Sequence, residues 1–93
     1  MLKEVKQALK ITGKYDDTSI KQHINEVKRF MKDGGVAESV IKDPENIGVI
    51  SRGVADLLTL GSGVASFSKH FIDSVVQLAL KAEAENEELP SNL

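Results

Sequence analysis

Ninety-three residues, 41% of them apolar, suffice for one hydrophobic core and are too few for two, because a chain this short buries only about 60–65% of the surface its unfolded form exposes. The absence of cysteine excludes disulfides and thiolate metal clusters, and His23 and His70 alone cannot furnish the nitrogen ligands of a zinc site. The net charge of −2 hides an uneven distribution: residues 1–42 carry nine Lys/Arg against six Asp/Glu, whereas residues 83–93 carry four Glu and no cation.

The opening Met-Leu-Lys-Glu-Val-Lys alternates charged with apolar residues and lacks the h-region of a signal peptide, and no run reaches the ~20 apolar residues that span a bilayer. A cytosolic origin is expected. Leu2, Val5 and Leu9, with Ala8 beside them, make one stripe of an amphipathic helix that Thr12-Gly13 is expected to end. Lys3, Lys6, Lys10 and Lys14 recur at similar spacing and form a candidate basic face. An ordinary solvated face is the stronger reading, because nucleic-acid surfaces usually add Arg, Asn or aromatic residues.

Asp16, Asp17 or Thr18 can cap a second helix, whose core stripe is Ile20, Ile24, Val27 and Met31, with Phe30 alongside. Lys28, Arg29 and Lys32 crowd its last turn, where cations suit the negative end of the helix dipole, and Gly34-Gly35 supplies a residue able to turn left-handed. His23 sits at the margin of this stripe and reads as a half-buried packing residue. Residues 36–42 allow one short helical turn burying Val36, Val40 and Ile41.

Asp43-Pro44 restarts the chain, since Asp is a favoured N-cap and proline at the first helical position forfeits only an orphan N–H. Ile47, Ile50, Val54 and Leu57 or Leu58 form the next stripe. Gly48 and Gly53 within it each cost about 1 kcal/mol relative to alanine, either as tolerated weak points or as sites of close helix approach. Gly61-Ser62-Gly63 is a linker and not a phosphate loop, lacking the Gly-Lys-Ser/Thr ending. Ser68 is the expected N-cap of the last helix, with Phe67 placed to staple against Ile72.

That last helix, expected over about Lys69 to Glu85, has polar Asp73, Gln77, Lys81, Ser74 and His70 within an arc of about 100°. Phe71, Ile72, Val75, Val76, Leu78, Ala79, Leu80 and Ala82 fill about 200° opposite, roughly twice what a helix packed on one side of a monomer needs. The excess must meet either more of the same chain or a neighbouring subunit. Phe71, Ile72, Val75, Val76, Leu78 and Leu80 are therefore candidate subunit-interface residues. The fold expected is all-α, a small bundle of about four helices with one short extra turn over residues 1–82, followed by a flexible acidic tail over residues 83–93, frayed or disordered around Pro90.

No catalytic set emerges. There is one Tyr (Tyr15), no Trp, and the two His lie on separate helices, so nothing pairs a nucleophile with a base; Asp16-Asp17 is better explained as a helix start. No cofactor or metal site is expected, and the chain is expected to bind rather than catalyse. A helix-turn-helix over residues 20–60 is conceivable, but Gly34 to Asp43 is longer than the usual turn and the second helix carries only Arg52, which argues against sequence-specific DNA binding.

The order of LKEVKQALKI at 2–11, DDTSIKQHINEVKRFM at 16–31, GGV at 34–36 and SFSKHFIDSVVQLAL at 66–80, after a Gly/Ser linker, resembles the small head-tail connector (head-completion, DNA-packaging) proteins of tailed bacteriophages and prophages. Leu57-Leu58-Thr59-Leu60 stands where many members carry an aromatic residue and Asn-Arg. The resemblance implies a structural subunit that forms a homo-oligomeric ring between the portal protein and a stopper or tail-completion protein. It further implies a virion protein of the head-tail junction, assembled in the host cytoplasm, with DNA as non-specific passage through the channel and no membrane partner. A helical protein-protein adaptor or a small DNA-binding regulator of bacterial or prophage origin is the alternative.

Overall fold

The computed structural model describes residues 1–10, 16–60 and 66–91, with side chains through Lys81. The fold is all-α: α1 (Leu2–Leu9), α2 (Asp17–Asp33), the short α3 (Glu38–Lys42), a 3-10 turn (Pro44–Asn46) leading directly into α4 (Ile47–Leu60), and α5 (Lys69–Ser91). The linker at Gly61-Ser62-Gly63, Tyr15, Lys14 and the expected helix end at Thr12-Gly13 lie outside the described residues, as do the side chains of the acidic segment.

Local chemistry explains several of these boundaries. The Asp16 carboxylate accepts the Ser19 backbone N–H at 2.7 Å, satisfying one of the orphan donors at the start of α2. Replacing Asp16 by Ala is expected to cost about 1 kcal/mol, read as a lower midpoint in urea unfolding. An unchanged midpoint would mean that the cap does not hold the helix. At the other end Gly35 takes φ 95°, its N–H reaches Lys32 O at 3.0 Å, and the Val36 N–H reaches Met31 O at 3.0 Å. This is a Schellman closure, with Met31 and Val36 both buried as its apolar clasp.

The helix α1 stops at Leu9, earlier than Thr12-Gly13, because Lys10 enters the left-handed region at φ 54°. Asp43 accepts the Glu45 N–H at 2.9 Å, and the Asn46 side-chain amide donates to Val40 O at 2.9 Å, tying the 3-10 turn back onto α3. Ser68 caps α5, its hydroxyl accepting the Phe71 N–H at 3.2 Å, while its own N–H is taken by Asp56 of α4 at 2.9 Å. Phe67, the expected staple to Ile72, packs on Phe71 with ring centroids 4.7 Å apart.

The helix α4 is the hub against which α1, α2 and α5 pack. Its Ile50, Val54 and Leu57 meet Val5 of α1, Ile20, Ile24, Val27 and Met31 of α2, and Phe71 and Val75 of α5 in one core. Phe30, Phe67 and Phe71, all the phenylalanines of the chain, form a tilted cluster with centroids 4.7–5.8 Å apart. Gly53 is the close-approach glycine of the hub: a Cβ there would stand 2.8 Å from the Phe71 ring and 2.9 Å from Val27 Cγ2. A Cβ at Gly48 would meet nothing within 4 Å, so that position is a plain weak point.

Candidate interaction surface

The six candidate interface residues of α5 divide by depth. Phe71 and Val75 are 0% and 2% exposed, so they belong to the monomer core, and their assignment to a subunit interface is corrected on that ground. Ile72 and Leu78 are half-buried against the same core. Val76 and Leu80 remain 49% and 59% exposed, one helical turn apart on one face. At about 100° per residue they lie roughly 140–180° around α5 from Phe71, which is why the core covers one side of the apolar arc and leaves the other bare. Leu60, at the end of α4, is a further large apolar residue left in solvent.

The candidate basic face of α1 does not persist as a stripe. Lys6 is half-buried and its Nζ donates to Asp17 at 2.8 Å, joining α1 to the start of α2. That hydrogen bond, with the charge of the same ammonium, holds the Asp17 carboxyl below its ordinary value. Lys3 and Lys10 are exposed, but Lys10 has already left helical geometry, and Lys14 lies outside the described residues.

A second basic locus is built by tertiary structure. The last turns of α2 and the short α3 border a groove of about 280 Å³ lined by Lys28, Arg29, Lys32, Glu38, Ile41 and Lys42. Buried Ile41 forms its apolar floor. Glu38 lies 3.6 Å from Lys42, and among the described residues Lys28, Arg29 and Lys32 make no ion pair. The last turn of α2 was readable as cationic; Lys42 joins it only because the Gly34-Gly35 closure folds α3 back beside α2.

A shallower cleft between α1 and α4, about 310 Å³, is lined by Ala8, Leu9, Gly48, Ser51, Arg52, Ala55 and Asp56. The buried Ser51 hydroxyl has no hydrogen-bond partner among the described residues. His23 is half-buried as its position on α2 predicts, and its Nδ1 is likewise shielded and unpartnered. His70 stands exposed at the start of α5. No group of three or more His, Cys, Asp or Glu among the described residues could hold a metal ion, and no helix among them is long and apolar enough to cross a membrane.

Comparison of the chain with family models, curated proteins and solved structures finds no match in any of the three.

Proposed function

We propose that this chain is a self-assembling structural subunit, a head-tail connector that forms a homo-oligomeric ring between a phage portal and the next tail-joining protein. On this reading it binds macromolecules and catalyses nothing. The observation that carries the self-assembly is the bare Val76-Leu80 edge of α5, in a chain whose core already uses the other side of the same helix. Leaving two large apolar side chains in water one turn apart forgoes burial worth about 25 cal/mol per Å², and a neighbouring subunit recovers it. The viral setting rests on the order of sequence motifs that resembles the connector family.

Self-association is expected in native mass spectrometry and light scattering at high protein concentration, alone or with a portal protein. Val76→Glu or Leu80→Glu is expected to weaken it at least tenfold while the helical circular dichroism is kept, since neither residue is in the core. A strictly monomeric wild type under all these conditions would sink the ring. The basic groove supports a second reading, a small DNA-binding regulator, which requires duplex retention at ~50 mM salt that falls steeply as salt is added.

A further inference from the structure

The acidic run of residues 83–93 and the basic groove between α2 and α3 have complementary charge on separate parts of one chain. Among the described residues the groove gathers Lys28, Arg29, Lys32 and Lys42 around one carboxylate, Glu38. The final stretch of α5 carries Glu83, Glu85, Glu87 and Glu88 with no cation. The α5 helix meets the bundle through Phe71, Ile72, Val75, Leu78 and Ala79, the last beside Gly35 at the α2–α3 closure, and the acidic stretch follows these contacts along the helix. Twelve residues of α5, 80–91, follow Ala79, and the molecule measures 53 Å along its longest axis against 25 and 17 Å across.

We propose that the acidic end of α5 of one copy docks in the Lys28-Arg29-Lys32-Lys42 groove of the next. The inference rests on the reading of the chain as a self-assembling subunit and gives that assembly its polarity. Groove and acidic end are different patches, so their pairing is heterologous, the type of contact that propagates head to tail and closes into a ring when the rotation permits. Exposed ion pairs contribute little singly, but several charges of one sign facing several of the other steer encounter and select the register. The apolar Val76-Leu80 edge supplies the burial, and the charges choose which surfaces meet. Salt must therefore loosen the contact, because the Debye length falls from about 10 Å at 0.1 M to about 3 Å at 1 M.

A charge exchange on the full chain tests the proposal. One variant combines Arg29→Glu, Lys32→Glu and Lys42→Glu, all at exposed positions; the other combines Glu83→Lys, Glu85→Lys, Glu87→Lys and Glu88→Lys. Each alone presents like charges at both patches and is expected to associate at least tenfold more weakly than wild type at low salt, by analytical ultracentrifugation. Mixed in equal amounts, the two variants present opposite charges at every junction and are expected to associate again. If the Glu variant of the groove loses helicity, Arg29→Gln, Lys32→Gln and Lys42→Gln replace it, with the same weakening expected alone. Wild-type association that neither variant changes would overturn the docking while leaving the ring intact. A groove variant that loses duplex retention but not self-association would assign the groove to nucleic acid and overturn it too. A wild type and a mixture that both stay monomeric would overturn the docking and the assembly together.

Discussion

Replacing Phe71 by Ala is expected to lower the free energy of unfolding by about 3–5 kcal/mol, the range for truncating a buried aromatic side chain. Phe71 is fully buried and touches two other rings, Phe67 at 4.7 Å and Phe30 at 5.8 Å between centroids. It also fills the notch that Gly53 opens on α4. Its removal leaves a cavity bordered by α2, α4 and the start of α5, and forfeits the aromatic pair energy of about 0.5–1.5 kcal/mol per pair in addition to the transfer term. A domain of this length holds only about 5–14 kcal/mol in total, so the variant is expected to be close to unfolding at 37 °C. Urea unfolding followed by circular dichroism, at one fixed protein concentration because assembly stabilises by mass action, measures the loss. A loss below about 1 kcal/mol would mean that α5 does not dock through Phe71. The milder Phe71→Leu, which keeps most of the volume, should retain more than half of the lost stability.

The same residue marks where sequence patterning stops being informative. Periodicity gives the direction in which an apolar side chain points around its helix and not the depth of what it meets. Phe71, Val75, Val76 and Leu80 look alike in the pattern, yet the first two are core and the last two are bare. Caps and turns were legible because their chemistry is local: Asp16 bonds three residues ahead, Ser68 three ahead, and Gly35 closes onto the turn just before it. The core stripe Ile20, Ile24, Val27 and Met31 was legible for the same reason, since one helix's geometry sets it.

Contacts between elements were not legible. Lys6 reaches Asp17 eleven residues away, Asp56 reaches the Ser68 N–H twelve away, and Lys42 reaches the cations of α2 only across a turn. Each of these depends on how the helices sit together. Of the candidate α1 lysines, Lys6 is taken up by Asp17, and a second cationic cluster lies in the α2–α3 groove.

The two glycines of α4 are the sharpest case, because sequence assigns them equal penalties and the packing assigns them opposite signs. Gly48→Ala is expected to stabilise by about 0.5–1 kcal/mol: the position is helical, its Cβ would meet nothing within 4 Å, and the unfolded chain loses freedom. Gly53→Ala gains the same propensity, but its Cβ would stand 2.8 and 2.9 Å from two atoms of the Phe71 ring and 2.9 Å from Val27 Cγ2. The ring is pinned by Phe30 and Phe67, and Val27 is fully buried, so neither neighbour is the loose end of a flexible chain. Separating α4 from its partners costs about 1–3 kcal/mol of overpacking strain, and because three contacts must give at once the upper end applies, exceeding the propensity gain. A net loss of about 1–2 kcal/mol follows, or roughly 4–16 °C in Tm for a domain of this size. Combining Gly53→Ala with Phe71→Leu should recover part of that loss, since removing the ring edge makes room for the new methyl; a double variant no better than the sum of its singles would show that the strain is not at this contact.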